Sequence, residues 1–164
     1  MTPDPFPPIP PLSLLIGENR ILCGLKARDR EGVLREISDF LESRDADLAG
    51  AGLFESLMQR EKLGSTALGE GFALPHCKIP DLSEPRVGVA VSSAGAVFES
   101  LDGKPTKFFF VVLGAAENPG RNLQVLASIA QLIRTTPRLG QALLRARTPR
   151  DVLEIITPGG GGRP

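Results

Sequence analysis

A chain of 164 residues is long enough for one globular domain and short for two. Hydrophobic residues make up 41% of it and charged residues 23%, which are the proportions of an ordinary globular protein and exclude a disordered or fibrous chain. The 19 Lys and Arg balance the 19 Asp and Glu, so the net charge is zero. The broad positive field of a non-specific nucleic-acid binder is therefore absent, and we expect no nucleic-acid partner.

Neither membrane insertion nor secretion is indicated. The longest strongly apolar run, residues 108–113, is far shorter than the roughly 20 residues that cross a bilayer. The start of the chain lacks the basic and apolar regions of a secretory signal. The two cysteines, Cys23 and Cys77, are predicted to be free thiols, so the cytoplasm is the expected location.

The composition of the two ends differs from that of the middle. Residues 1–11 hold six prolines, and residues 158–164 hold two prolines and four glycines. These compositions predict flexible extensions on either side of one folded domain over residues 12–157. We find no internal repeat within that span and no linker that divides it.

The first half of the domain begins with a predicted strand and two helices. The apolar run at residues 21–25 predicts a strand, and Asp29 is a candidate N-cap for a helix whose apolar positions recur at helical spacing. Asp47 is expected to cap a second helix, which Gly64 ends. A segment broken by Gly69 and Gly71 follows, with strand character up to Leu74.

The second half combines strands and helices. Residues 87–91 and 107–113 are rich in β-branched or aromatic side chains, and Asp102-Gly103 supplies a turn for an antiparallel hairpin. An amphipathic helix is expected from Asn122 to residue 135, and Thr136-Pro137 and Thr148-Pro149 predict two shorter helices. The predicted fold class is α/β, a single-domain layered sandwich with a mixed β-sheet and helices on both faces.

His76 is the only histidine and the strongest chemical candidate. It follows Pro75 after a predicted strand end, where a side chain can be presented to a partner. A neutral imidazole can take a phosphoryl group on one ring nitrogen while a hydrogen bond holds the other. Candidate donors to phosphoryl oxygens are Arg60 and the hydroxyls and backbone amides of Ser65 and Thr66. Arg60 is equally well explained as a solvated helix-end cation.

The string from residue 60 to residue 76 resembles the signature of the enzyme IIA domains of the phosphotransferase system (PTS), fructose/mannitol type. In that family, Arg-Glu, Gly-Ser-Thr, Gly-x-Gly and apolar-Ala-apolar-Pro-His motifs lead to a phosphorylated histidine. The matching residues are Arg60-Glu61-Lys62-Leu63-Gly64-Ser65-Thr66-Ala67-Leu68-Gly69-Glu70-Gly71-Phe72-Ala73-Leu74-Pro75-His76. A short chain without fused membrane or IIB segments most resembles the nitrogen-regulatory branch.

The resemblance implies a phosphohistidine-carrying transferase component. His76 would accept the group from a histidine-containing phosphocarrier protein, Arg60 would contact the phosphoryl oxygens, and Ser65 and Thr66 would shape the adjacent loop. Regulatory protein targets or a IIB component would be the further partners, with no cofactor and no metal. The alternatives are a sugar-specific IIA component for fructose or mannitol uptake, and a phosphorylation-independent binding module.

The chain departs from the family's pattern at the start of the third predicted helix. Relatives commonly have a second histidine where this chain has Asn122. Asn122 is expected to act as a helix cap, to donate an amide N–H to phosphate, or to fix the tautomer of His76 through its carbonyl. Cys77 stands where glycine is usual, and Phe72 where an aliphatic residue is common.

Other patterns indicate no further chemistry. Two cysteines and one histidine do not make a zinc site, and the glycines at 69 and 71 lack the residues that complete a nucleotide-binding loop. Five arginines lie on the C-terminal helical segments. They are expected to form a solvated face, and a docking surface for an acidic partner is the alternative. They are Arg134, Arg138, Arg145, Arg147 and Arg150.

Overall fold

A mixed β-sheet forms the middle layer in the computed structural model of the chain, which describes residues 11–157. The strands are β1 (Ile21–Cys23), β2 (Ala67–Gly69), β3 (Phe72–Ala73), β4 (His76–Ile79), β5 (Arg86–Ala96) and β6 (Thr106–Ala115). The order across the described sheet is β1-β5-β6-β3-β2, and β4 also pairs with β6. The pairs β1–β5, β3–β6 and β4–β6 are parallel, and β5–β6 and β2–β3 are antiparallel.

Helices cover both faces of this sheet. They are α1 (Leu12–Ile16), α2 (Arg30–Arg44), α3 (Leu53–Leu63), α4 (Pro119–Thr135), α5 (Leu139–Arg145) and α6 (Pro149–Ile156). The apolar faces of α2 and α3 pack on one side, and those of α1, α4, α5 and α6 pack on the other. The predicted fold class is therefore confirmed. No helix within residues 11–157 is long and apolar enough to cross a membrane.

The central strand β6 shows how the sequence builds two cores. Successive side chains of a strand point to opposite faces of the sheet. Phe109 and Val111 accordingly join the core with α2 and α3, whereas Phe108 and Phe110 join the core with α4, α5 and α6. All four are buried, so this aromatic run is core rather than a stacking surface.

Strands β3 and β4 lie along the same neighbour in one continuous register. Phe72 pairs with Phe108 and His76 pairs with Val112, an offset of 36 residues in both cases. Pro75 lies in the gap between the two strands and has no N–H to donate to a ladder. The chain therefore leaves strand geometry at Leu74 and Pro75 and returns to it at His76.

Two of the predicted helix starts are confirmed. The Asp29 side chain accepts a hydrogen bond from the Gly32 N–H at 2.7 Å and caps α2. Thr148 and Asp151 form a capping box at the start of α6, with Pro149 in its first turn. Both positions carry a short oxygen acceptor immediately before a helical segment.

The expected caps of two other helices are wrong. Asp47 lies in a short 3₁₀-helix (Ala46–Leu48), and α3 begins at Leu53 after Gly52, whose φ is +69°. α5 begins at Leu139 after Arg138 and not at the Thr136-Pro137 pair. Neither Gly52 nor Arg138 caps its helix with a side chain, and the first N–H of α3 donates instead to Glu42, eleven residues away, so no local N-cap signal marks where these helices begin.

Three further differences concern the lengths and limits of elements. The predicted hairpin exists as the β5–β6 pair, and its connection spans residues 97–105 around the Asp102-Gly103 turn. Helix α1 and strand β4 are elements that the sequence interpretation lacked. The predicted extensions, residues 1–11 and 158–164, lie outside the described residues except for Pro11.

Candidate functional site

His76 opens into a groove of about 550 Å³ between α3, β4 and the first turns of α4. Its side chain is half-buried at the start of β4. The groove brings together three of the predicted site residues, His76, Arg60 and Asn122. The other residues that line it are Ser56, Gln59, Leu63, Cys77, Lys78, Val112, Gly114, Pro119, Leu123 and Leu126.

Both ring nitrogens of His76 have a hydrogen-bond partner. Nδ1 lies 2.8 Å from the carbonyl oxygen of Leu74, which can only accept. Nε2 lies 3.3 Å from Nε of Arg60, which can only donate. A neutral ring that satisfies both partners carries its hydrogen on Nδ1 and its lone pair on Nε2.

The backbone that supplies this carbonyl is itself held on two sides. The Leu74 N–H donates to the carbonyl of Thr66 at 3.0 Å, and the Val112 N–H donates to the carbonyl of Pro75 at 2.9 Å. Leu74 and Pro75 are both buried. The acceptor for Nδ1 is therefore fixed between the β2–β3 hairpin and the central strand β6.

Arg60 lies in the last turn of α3 and bridges the histidine to the helix end. Its Nε donates to His76 while its Nη1 donates to the carbonyl of Gly64 at 2.9 Å. A guanidinium is well suited to this position because its N–H groups point in fixed, coplanar directions. Gly64 is the C-cap of α3, as predicted, so the end of the helix determines where the cation lies.

Ser65 and Thr66 do not line the groove, and their donors have other partners. The Ser65 hydroxyl donates to the carbonyl of Phe98 at 3.2 Å. The backbone N–H and the hydroxyl of Thr66 both donate to the carboxylate of Glu61, which is 2% exposed. A buried carboxylate needs such donors to offset its desolvation. These contacts tie the loop after α3 back onto that helix.

Asn122 lies one turn inside α4, so the expectation that it caps the helix is wrong. The cap is Asn118, whose side chain accepts from the Arg121 N–H at 3.2 Å. The Asn122 carboxamide instead binds the backbone of Ala115: Oδ1 accepts from its N–H at 2.9 Å and Nδ2 donates to its carbonyl at 2.8 Å.

Strand β6 has room for the Asn122 carboxamide because Gly114 has no side chain. A Cβ at Gly114 would lie 2.6 Å from Cγ and Nδ2 of Asn122, a distance that no side chain tolerates. Asn122 is 7% exposed, and its Oδ1 accepts from Ala115 rather than from the His76 ring. The partner that fixes the tautomer of His76 is therefore the carbonyl of Leu74. One hydrogen of the Asn122 amide is not used by Ala115.

Cys77 and Lys78 follow His76 in strand β4, so their side chains point to opposite faces of the sheet. Cys77 points toward the α2–α3 core, and burial raises the pKa of its thiol to about 12. A thiol that stays protonated is a poor nucleophile. Lys78 lies on the same face of β4 as His76 and is exposed in the groove. The sequence interpretation omitted Lys78 because it predicted no strand at this point.

Comparisons with known proteins identify the family to which this sequence is similar. The family described as "Phosphoenolpyruvate-dependent sugar phosphotransferase system, EIIA 2" matches residues 14–158. A nitrogen regulatory protein of Bradyrhizobium diazoefficiens is 36% identical over 149 residues, which cover 89% of this chain and 94% of the relative. A nitrogen regulatory protein of Pseudomonas aeruginosa is 30% identical over 122 residues, covering 74% of this chain and 79% of the relative.

Solved structures give the same result. The crystal structure of nitrogen regulatory protein IIA-Ntr from Neisseria meningitidis superposes with a TM-score of 0.79 at 27% identity and covers 89% of this chain and 99% of that one. Mannitol IIA from Escherichia coli shares the fold, with a TM-score of 0.70 at 20% identity, covering 87% and 99% of the two chains. The chain therefore belongs to the EIIA 2 family of the phosphoenolpyruvate-dependent sugar phosphotransferase system.

Proposed function

We propose that this chain is a cytoplasmic phosphocarrier of the nitrogen-regulatory type, which accepts a phosphoryl group on Nε2 of His76 from a histidine-containing phosphocarrier protein. The observation that carries the proposal is the pair of contacts to the ring in an open groove. Nδ1 is engaged by the carbonyl of Leu74, and Nε2 faces the guanidinium of Arg60. The lone pair that must attack phosphorus therefore points toward the cation that would neutralise the incoming oxygens.

The transfer needs no group beyond the two proteins. Arg60 Nε–H first releases the Nε2 lone pair and turns to a phosphoryl oxygen. The freed lone pair forms a bond to phosphorus as the bond between phosphorus and the donor's ring nitrogen breaks, and that electron pair returns to the donor's ring. The acceptor ring gains positive charge, which the carbonyl of Leu74 stabilises through the hydrogen on Nδ1. Positioning and charge stabilisation supply the catalysis, as is general for phosphoryl transfer.

Two cations and a helix terminus surround the proposed acceptor. Arg60 contacts the ring directly, and Lys78 lies two residues along the same strand face, about 7 Å away at the backbone. The N-terminal turn of the 17-residue helix α4 also borders the groove through Pro119 and Asn122. A helix N-terminus carries a positive partial charge. All three favour the dianionic phosphoryl group, and we assign Lys78 a role in binding its oxygens.

Ser65, Thr66 and Asn122 take supporting parts in this proposal. The side-chain contacts of Ser65 and Thr66 hold the loop after α3 in place. The carbonyl of Thr66 in this loop accepts from the N–H of Leu74. Asn122 anchors the first turns of α4 to Ala115 and offers its second amide hydrogen to a phosphoryl oxygen. A second imidazole is not required, because the backbone already fixes the tautomer of His76.

The names of the relatives favour regulation over sugar uptake. Nitrogen regulatory proteins are 36% and 30% identical to this chain, whereas fructose-specific relatives of Haloferax volcanii and Bacillus subtilis are 28% and 25% identical. The regulated targets would be proteins that distinguish the phosphorylated from the free chain, since the phosphoryl group adds about two negative charges to a chain of zero net charge. Transfer to a IIB component is the alternative, since a mannitol IIA of Escherichia coli forms a complex with its IIB.

The proposal is tested by intact-protein mass after incubation with phosphoenolpyruvate, the first enzyme of the system and the phosphocarrier. The expected result is a gain of one phosphoryl group that acid removes and that His76→Ala abolishes. No gain with several phosphocarriers would contradict the proposal and favour a phosphorylation-independent binding module. A gain that persists in His76→Ala would assign the acceptor to another residue.

The role of the two cations predicts that changing either one slows phosphorylation. Arg60→Lys keeps the charge but loses the coplanar N–H groups, and Lys78→Met keeps the side-chain length but loses the charge. Each is expected to slow phosphorylation of His76 by roughly tenfold, the effect of about 1.4 kcal/mol in the barrier. Initial rates come from quenched samples analysed by mass, with Lys26→Met, an exposed lysine outside the groove, as the control. A Lys78→Met rate equal to the control rate would remove Lys78 from the site.

The two contacts of Asn122 predict different outcomes for two substitutions. Asn122→Ala leaves the buried N–H of Ala115 without its acceptor and should lower the free energy of unfolding by about 1–3 kcal/mol. Asn122→Asp keeps an acceptor but places a negative charge at the groove, and should slow phosphorylation by at least about tenfold. Urea unfolding and initial rates measure the two effects. A wild-type rate in Asn122→Asp would show that the residue is structural only.

A further inference from the structure

A second and larger groove, of about 1060 Å³, lies beside the β2–β3 hairpin. One wall is formed by the hairpin and residues 104–108, and the other by the second half of α4 and by α5. It shares no lining residue with the His76 groove, although α4 borders both. We call it the hairpin groove.

The middle of the hairpin groove is apolar. Leu68 on the hairpin is 51% exposed, and Leu144 on α5 is 41% exposed. The rings of Phe72 and Phe108 lie in contact beneath, with their centroids 4.8 Å apart. Leucine side chains exposed on the walls of a groove are typical of a surface that receives apolar side chains of another molecule.

The edges of the hairpin groove are basic. Lys104, Lys107, Arg134 and Arg138 line it together with a single acidic residue, Glu70. The carboxylate of Glu70 lies 3.2 Å from Nζ of Lys104, and Asp102 accepts from the Glu70 N–H at the same end of the groove. The other three cations form no ion pair among the described residues. This local excess contrasts with the zero net charge of the whole chain. Only two of the five C-terminal arginines, Arg134 and Arg138, belong to it.

We propose that the hairpin groove is a docking site for an acidic amphipathic segment of a partner protein. Its apolar side chains would pack between Leu68 and Leu144, and its carboxylates would face the cations at the edges. Charge complementarity selects an acidic occupant, and the exposed leucines require apolar groups, which a simple anion does not supply. The docking needs no phosphoryl group on His76, so it can be tested separately from the proposed function.

The test uses the full chain carrying His76→Ala, labelled with ¹⁵N, and a defined probe. The probe is a capped synthetic peptide of about 15 residues with alternating pairs of Glu and Leu. Saturable shifts are expected at the amides of Leu68, Gly71, Ala130 and Gly140, which line the groove. The absence of saturable shifts, or shifts confined to the His76 groove, would overturn the proposal.

Matched variants test the two components of recognition. The double variant Arg134→Glu/Arg138→Glu should weaken binding at least about tenfold, and Leu68→Ser should weaken it by several-fold. The control is Arg145→Glu/Arg147→Glu, which changes the same charge on exposed positions outside the groove and should leave affinity within about twofold. Equal losses in the two double variants would show a general charge effect and overturn the site.

Two further arms exclude other occupants. A peptide of the same length that contains Glu without Leu should bind at least about tenfold more weakly, and equal binding would reduce the site to an anion site. Deletion of residues 1–10 should leave the groove amides unshifted. Shifts of those amides on deletion would identify the chain's own N-terminal segment as the occupant and overturn the assignment to a partner.

Discussion

The hydrogen bond between Nδ1 of His76 and the carbonyl of Leu74 is the contact on which the arrangement of the site depends. It requires that residues 74–76 follow one path, and the fold fixes that path through Thr66 on one side and Val112 on the other. Because the acceptor is backbone, the tautomer of His76 does not depend on a second ionisable side chain. The proposed transfer therefore needs no second imidazole at the position of Asn122.

Much of the fold could be predicted because its signals are local. The continuous apolar run of β6, the Asp29 cap and the Thr148 cap lie in short stretches of sequence, and the structure has each of them. The starts of α3 and α5 could not be predicted, since the N-cap residue of neither helix caps it with a side chain. Strand β4 could not be predicted either, because it is only four residues long and gains its identity from pairing with β6.

The site could be predicted in its centre but not in its contacts. The motif from Arg60 to His76 predicts both the histidine and the cation of the site, and the two lie within hydrogen-bond distance in the structure. The partners of Thr66 and Asn122 depend on Glu61 and Ala115, whose burial no pattern in the sequence reveals. The sequence does not indicate Lys78 either, because its position beside His76 follows from the geometry of strand β4.

The most direct test of this arrangement is the ¹⁵N and ³¹P NMR spectrum of the phosphorylated chain with labelled histidine. His76 is the only histidine, so its two ring nitrogens give the only imidazole signals of the chain. The hydrogen bond to Leu74 predicts that phosphorus couples to Nε2 while Nδ1 keeps its hydrogen. Coupling to Nδ1 would contradict it, because the carbonyl of Leu74 would then have lost its donor.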